Sequence, residues 1–279
     1  MTMLSINTNV GALQAARSSY SVNKSMEQSM ERLASGKRVN GAADDAAGLA
    51  IATRLNAEIN GINQGIRNAS DAQGMLAVAE GALEQVHALL LRMRELAVQS
   101  ANETNSSADR EHLQTEVDQL EAEIQRVVDD TTWAGITLLA GGLSTGATFQ
   151  IGPRNTDTIQ ISISAIEPLS TVAKGGLSLS GDISAQDNAM TYITGIDNAI
   201  SIISADRGKY GATMNRLDHA MANLQNVATN LAVAKGRIMD ADFAAESSNL
   251  ARTQVLQQAS MAMLAQANAS KQNILSLFQ

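Results

Sequence analysis

The stretch ERLASGKRVNGAADDAAGLAIATRL, residues 31–55, ends one helical pattern and begins another. Gly36 is the residue type that closes helices in a left-handed conformation, and Lys37 and Arg38 lie where the helix dipole favours cations. Asp44 or Asp45 is expected to cap the next helix, since carboxylates accept hydrogen bonds from free amides at a helix start. These residues predict a joint between two helical layers, although an ordinary helix–turn–helix explains them equally well.

Two further expectations concern this loop. Gly36 and Gly41 are expected to turn the chain because glycine tolerates positive φ. Lys37 and Arg38 are expected to bond to a neighbouring subunit or to the chain near Asp240, unless they serve the helix dipole alone. A phosphate-binding loop is excluded, because the Walker pattern needs glycine where Glu31 stands and a strand before the loop.

Mainly apolar residues spaced alternately by 3 and 4 positions recur along the chain, with one extra step of 3 between Leu76 and Ala79. Such spacing predicts coiled-coil helices. We expect Leu217, Met221 and Leu224 to pack against the seam that runs from Leu83 to Met93. The three series are Leu55, Ile59, Ile62, Ile66, Ala69, Gln73, Leu76, Ala79, Leu83, Val86, Leu90, Met93 and Ala97; Leu113, Val117, Leu120, Ile124 and Val127; and Ile193, Ile196, Ile200, Ile203, Arg207, Tyr210, Met214, Leu217, Met221, Leu224, Ala228 and Leu231.

The middle of the chain changes period. Residues 147–164 alternate apolar and polar side chains on either side of a segment that contains Gly152, Pro153 and Asp157, which predicts a β-hairpin. Residues 165–187 are rich in glycine and serine and predict loops with short strands. The sequence therefore indicates a mainly α protein, a long coiled-coil helical bundle formed by both chain ends, with a small central β-hairpin layer.

Both chain ends are amphipathic and have no partner nearby in the sequence. An isolated helix of about 30 residues cannot bury an apolar face by itself. The ends must pair with each other, pack on other subunits or stay disordered. The residues expected to pack in an inner layer are Ile6, Val10, Leu13, Leu256, Met263, Ile274 and Leu277.

Composition and motifs exclude several classes of function. The net charge of −8 and the absence of a basic cluster argue against nucleic-acid binding. The sequence has no continuous apolar run long enough to span a membrane, so we expect no membrane insertion. The chain has no cysteine, and its three histidines show no ligand spacing beyond a bare His112–Glu116 pair. No nucleophile elbow or zinc-protease motif is present. We expect no enzyme activity, no metal and no cofactor.

One helical face in residues 91–99 carries apolar residues outside the seam. If Leu90, Met93 and Ala97 lie in the seam, Leu91 and Val98 fall on the outer face beside Arg92, Glu95 and Gln99. Exposed apolar residues ringed by charges suggest an interface. The alternative is a solvated helix face with an Arg92–Glu95 pair, which contributes only about 0.2–0.5 kcal/mol.

The whole chain resembles bacterial flagellin. The resemblance is carried by SINTN at 5–9, the opening stretch at 31–55, LRMRELAVQSANETN at 91–105, GRIMDADFAAESSNLARTQVLQQASMAMLAQAN at 236–268 and ILSLF at 274–278. Residues of about 135–185 match poorly, so this is a short form without large outer domains. Gln279 and Met93 depart from the residues common in the family.

The resemblance implies a structural subunit that polymerises into the flagellar filament for swimming motility. It implies an inner terminal-helix layer with a connecting spoke, residues 1–44 and 236–279, and an outer helical bundle, residues 45–235, with a β-hairpin region at about 133–185. Gly36, Lys37, Arg38 and Gly41 would belong to the spoke. Export would proceed unfolded through the filament channel to an extracellular filament.

The resemblance also implies partners. They are further copies of the chain, the flagellar export apparatus and export chaperone, junction and cap proteins, and a Toll-like innate receptor. Arg92, Glu95 and Leu96 match the segment that packs on neighbouring subunits and is recognised by that receptor. The alternatives are a hook–filament junction protein and a flagellin-derived surface adhesin.

Overall fold

The computed structural model describes residues 8–166 and 182–276, with side chains described up to residue 270. The chain forms two compact units: residues 1–57 with 229–279, and residues 58–228. The helices are α1 (Val10–Ser35), α2 (Ala46–Ser100), α3 (Ser107–Asp130), α4 (Gln186–Met239) and α5 (Phe243–Ser276). The strands are β1 (Thr132–Trp133), β2 (Ile136–Thr137), β3 (Ala147–Gln150) and β4 (Thr158–Ile161). The predicted mainly α fold with a small central β region is confirmed.

The three apolar series lie on α2, α3 and α4, and their members are buried or partly buried. The unit of residues 58–228 has its core where the series meet, with Leu76, Leu83, Ile124 and Ile196 fully buried. Arg207, the charged member of the α4 series, donates to Glu80 of α2 at 2.7 Å, so the one ion in the seam is paired. A heptad pattern therefore located the buried face of each helix.

The expected register between α2 and α4 is wrong. Gln73 donates to Asp218 at 2.8 Å, and Ser70 contacts the Met221 sulfur at 3.4 Å. Further along the same pair, Arg94 donates to Asp197 at 2.7 Å. Residues 217–224 of this antiparallel pair thus lie beside the part of α2 near residue 70, rather than beside residues 83–93. The heptad periodicity specifies which face of each helix is buried. The register of one helix against the other depends instead on the connections between the helices.

The predicted hairpin at 147–164 is confirmed: β3 and β4 pair antiparallel, with Phe149 opposite Ile159. The turn that joins them lies directly on α2, because a Cβ on Gly65 would stand 2.2 Å from the Ile151 carbonyl oxygen. Asn68 of α2 also donates to the Gln150 carbonyl at 2.7 Å. A glycine on the helix therefore permits the close approach that holds the hairpin in place.

A second hairpin, β1–β2, was missed by the sequence reasoning. Its strands have two residues each, too short to show an alternation. The signal is in the turn, where Ala134 and Gly135 have φ values of 49° and 82°. Two consecutive residues with positive φ are typical of a tight hairpin turn.

Helix α2 is long enough to cross a membrane and contains an 18-residue window that is apolar enough, by length and composition alone. Apolar residues of α2 such as Leu76, Leu83 and Leu90 are fully buried in the core of the unit of residues 58–228. Part of the apolar composition of α2 therefore serves this core.

We expect Leu217→Ala to lower the free energy of unfolding by about 2–5 kcal/mol, because the side chain is fully buried in the helical core. Chemical denaturation of the monomer measures the change. Leu91→Ala, the same substitution at an exposed site, serves as the control and should change the free energy by less than about 0.5 kcal/mol. Equal losses for the two variants would contradict the assignment of the seam.

Candidate functional site

The two terminal helices pair with each other, which confirms the first of the three alternatives for the chain ends. Helices α1 and α5 run antiparallel: Asn9 donates to the Ala267 carbonyl at 3.2 Å, and Arg32 pairs with Glu246 at 3.7 Å near the other end. Asn9 also caps α1 by accepting from the Ala12 amide at 3.1 Å. The pairing explains how two distant segments of the sequence form one unit.

The seam between α1 and α5 is built mostly from small and polar side chains. Its residues follow a strict alternation of 3 and 4 positions in both helices, and each is buried or partly buried. Small side chains let two helices approach closely, but they leave little apolar surface to bury. The seam residues are Ala12, Ala15, Ser19, Val22, Met26, Ser29 and Leu33 of α1, and Glu246, Leu250, Thr253, Gln257, Ser260, Leu264 and Ala267 of α5.

The large apolar side chains of these helices lie mostly outside the seam. Their exposed fractions range from 45% to 74%, far above those of core residues. Such side chains, repeated along both helices, form an unusually apolar surface for a single subunit. They are Val10, Leu13, Tyr20, Met30, Phe243, Val255, Leu256, Met261 and Met263.

Four of the residues predicted to pack in an inner layer take no part in the contact between α1 and α5, and their packing in such a layer stays a prediction. Val10, Leu13, Leu256 and Met263 are exposed and do not form the seam within the chain. The reason is that each terminal helix has two usable faces, and the smaller side chains make the intrachain contact. Ile6 and Leu277 lie outside the described residues, and Ile274 lies on α5 beyond the described side chains.

The loop after α1 is tied to the chain before α5 by backbone hydrogen bonds. The Arg38 amide donates to the Met239 carbonyl at 2.6 Å, and the Ala241 amide donates to the Gly36 carbonyl at 3.0 Å. Between these bonds, Lys37 pairs with Asp240 as an antiparallel bridge. The two segments of the unit therefore run side by side, joined by an isolated antiparallel β-bridge.

The Arg38 guanidinium donates to the Ile238 carbonyl at 2.8 Å, so this cation bonds within its own chain. Of the alternatives for the loop cations, the contact with the segment before α5 is the one observed for Arg38. Lys37 takes part through its backbone, and its side chain is exposed.

The two acids of the opening stretch have different roles. Asp45 caps α2, because its carboxylate accepts from the Gly48 amide at 2.8 Å. Asp44 instead accepts from the amides of Asn40 and Gly41 at 3.0 and 3.1 Å. These bonds, led by the one from Asn40, hold the pKa of the Asp44 carboxyl below its usual value. The sequence could not distinguish these roles because both residues are adjacent aspartates.

The two loop glycines also differ. Gly36 has φ 68° and ψ 10°, the left-handed C-cap that the sequence predicts. The expectation for Gly41 is wrong, since its φ is not in the positive region. A Cβ at Gly41 would also meet nothing within 4 Å. The chain turns at Gly41 through the Asp44 hydrogen bond rather than through a conformation reserved for glycine.

On the outer face of residues 91–99, Leu91 and Val98 have exposed fractions of 45% and 49%. Arg92 beside them pairs with Glu116 of α3 at 2.7 Å and with Glu95 at 3.1 Å. The bonds to Glu116 and then to Glu95 raise the pKa of Arg92. Glu95 and Gln99 are exposed on the same stretch.

Sequence reasoning considered Glu116 only as part of a bare His112–Glu116 pair and missed its ion pair with Arg92, because only the fold brings α3 beside α2. With its carboxylate engaged by Arg92, Glu116 belongs to an ion-pair network. The structure also corrects Leu96, whose side chain is 1% exposed. A buried leucine cannot contact a partner of the folded chain, so the surface consists of Leu91, Arg92, Glu95, Val98 and Gln99. Among residues 8–166 and 182–276, no cluster of three or more metal-binding side chains was found.

Comparison with known proteins identifies the family. The family model described as "Bacterial flagellin N-terminal helical region" matches residues 6–144, and "Bacterial flagellin C-terminal helical region" matches residues 193–278. The chain belongs to the bacterial flagellin family. Flagellins are structural proteins, which agrees with the expected class of function.

Relatives of similar length extend the match across the chain. The flagellin of Halalkalibacterium halodurans is 40% identical over 98% of this chain and 99% of its own length. The flagellar filament 33 kDa core protein of Treponema phagedenis is 36% identical with the same coverage. A putative flagellar hook-associated protein from Vibrio parahaemolyticus shares the fold, with a TM-score of 0.62 at 17% identity over 71% of this chain and 100% of that structure.

We predict that Gly36→Ala destabilises the terminal-helix unit by about 1–2 kcal/mol, because alanine is strained in the left-handed region. Gly41→Ala is the matched control in the same loop and should cost less than about 0.5 kcal/mol. Thermal unfolding of the monomer, followed at a probe in α1, separates the two. Equal costs would show that the loop does not use the Gly36 conformation.

The amides of Asn40 and Gly41 should report the ionisation of Asp44 in a nuclear magnetic resonance titration. The carboxylate that binds them has a lowered pKa, so the loop bonds persist above that value and are lost as the pH falls through it. Both amide shifts should change together, with a midpoint below that of an ordinary aspartate. Asp44→Asn should abolish this step, whereas Asp45→Asn should leave it in place.

Proposed function

We propose that the chain polymerises into the flagellar filament through the apolar surface of α1 and α5. One observation carries the proposal: the terminal helices are already paired, yet their large apolar side chains remain exposed. The pairing of α1 with α5 within the chain therefore does not bury these side chains. Burial of each valine, leucine or methionine between subunits would contribute about 1.5–3 kcal/mol. Repeated along both helices, this favours a stable polymer.

The proposed layers are those that the family resemblance implies. Residues 1–44 and 236–279 form the inner layer, with the loop of Gly36, Lys37, Arg38 and Gly41 as its spoke, and residues 45–235 form the outer layer. The backbone bridge at Lys37 and Asp240 supports this role for the loop, because it joins the segment that follows α1 to the segment that precedes α5. We place the polymer outside the cell, as the extracellular filament used for swimming.

Further partners follow from the same proposal. The export apparatus and an export chaperone would handle the chain before assembly, and junction and cap proteins would contact it at the filament ends. The outer-face surface of Leu91, Arg92, Glu95, Val98 and Gln99 is proposed to pack on a neighbouring subunit and to bind a Toll-like innate receptor. Its two exposed apolar residues flank a network of ion pairs, the arrangement of a protein-binding surface.

The role of a hook–filament junction protein is the second candidate. The shared fold of the hook-associated protein supports it only at the level of architecture. Flagellins such as that of Halalkalibacterium halodurans match the chain at 40% identity over nearly its full length, which favours the filament subunit. A surface adhesin built on the same scaffold has no specific observation in its favour.

Replacement of Val10, Leu13, Val255 and Met261 by serine should raise the critical concentration for polymerisation at least tenfold. Loss of one buried side chain already approaches the roughly 1.4 kcal/mol that corresponds to tenfold. Sedimentation measures the polymer, and electron microscopy shows its form. The monomer should unfold as the unsubstituted chain does, because all four side chains are exposed and outside the seam.

The matched control places serine at the exposed polar residues Arg17, Gln254 and Gln258 of the same helices. This variant should polymerise at nearly the unchanged concentration. If the two variants shift the critical concentration equally, the apolar surface does not drive assembly. If the unsubstituted chain forms no filament at any concentration, the proposed function itself is wrong.

A further inference from the structure

We propose that two opposite sides of the α1–α5 pair fit each other in successive copies of the chain. A groove on one side receives an apolar ridge, centred on Tyr20, from the other side of the next copy. This inference rests on the proposed function and specifies which surfaces meet in the polymer.

The groove runs beside the seam within the unit of terminal helices and has a volume of about 420 Å³. Its α1 wall is formed by Gly11, Gln14, Ala15 and Ser18, and it is low everywhere except at Gln14. Its α5 wall is high and apolar, with Leu256 and Met263 on either side of Ala259. A low polar wall opposite a high apolar wall leaves room for a large side chain that is mainly apolar.

The ridge lies on the other side of the seam. Tyr20 follows the seam residue Ser19, whereas Ser18, which lines the groove, precedes it. Because successive helical residues are about 100° apart, Tyr20 and Ser18 project on opposite sides of the seam. Leu13 lies seven residues before Tyr20 and so shares its face. Tyr20 is 74% exposed, the highest fraction among the large apolar residues.

Charge favours another copy of the chain as the occupant. Residues 253–270 of α5 contain no charged residue, and Arg17 is the only charged residue between positions 8 and 23. Contact between ridge and groove would therefore desolvate few charges, whereas an acidic or basic partner would find no complementary charge there. Tyrosine combines a large apolar ring with a hydroxyl that suits the serines of the groove.

The opposite placement of ridge and groove determines the type of assembly. A contact between two different surfaces of identical subunits is heterologous, and it continues from copy to copy as an open helical polymer when the rotation does not close a ring. A contact of the ridge with itself would close as a two-fold dimer. The pairing of ridge with groove thus provides a structural basis for filament growth instead of dimerisation.

Site-directed cross-linking tests the pairing, since the chain contains no cysteine. The single variants Tyr20→Cys and Ala259→Cys are mixed, one of them isotopically labelled, polymerised and oxidised. Both sites are exposed, so both variants should fold. Mass spectrometry should find disulfide-linked pairs that contain one copy of each variant. The control mixture pairs Tyr20→Cys with Gln258→Cys, which points away from the groove, and should give few such links.

The possible outcomes separate the pairing from the proposed function. Filaments whose links join Tyr20→Cys to itself, to Gln258→Cys equally well, or to neither would overturn the pairing and leave the filament role intact. Failure of the unsubstituted chain to polymerise would overturn both. An independent measurement uses Tyr20→Ala and Ala259→Phe, which remove the ridge and fill the groove. Each should raise the critical concentration about tenfold, and unchanged values for both would also overturn the pairing.

Discussion

The assembly surface of this protein depends on one constraint, the small and polar composition of the seam between α1 and α5. Serine, alanine and threonine let the helices approach closely, but they bury little apolar surface. The large apolar side chains of both helices are thereby left on the outside. The packing of this pair is therefore incomplete within one chain, and in the proposed polymer further subunits would supply the missing contacts.

The two compact units differ in where they place their large apolar side chains. In the unit of residues 58–228, α2, α3 and α4 bury their heptad residues within one chain, and the hairpin turn covers α2 at Gly65. In the unit of the terminal helices, most heptad positions carry small or polar residues, and most of the large apolar residues face outward. The first unit thus buries its apolar residues within itself, whereas the second leaves an apolar surface exposed.

The loop between α1 and α2 is held in place largely by hydrogen bonds of its backbone. Gly36 and Arg38 each join the segment before α5 through backbone atoms, and Asp44 fixes the loop by accepting two amides. Sequence reasoning placed the residue types correctly but assigned Gly41 a conformation that it does not adopt. Turn geometry depends on which amides a carboxylate reaches, and two adjacent aspartates offer the same chemistry in the sequence.

The sequence by itself determined the long helices, the β3–β4 hairpin and the buried faces of α2, α3 and α4, because heptad spacing and alternation are local properties of the chain; the two-residue strands β1 and β2 were too short to show either. Long motifs at both ends of the sequence also indicated the flagellin family. Only the tertiary structure decided the register of α2 against α4, the burial of Leu96 and the role of Glu116, since each depends on contacts distant in sequence. The tertiary structure also decided that Val10 and Leu13 face outward. An amphipathic pattern shows which face of a helix is apolar, but it does not show which partner covers that face.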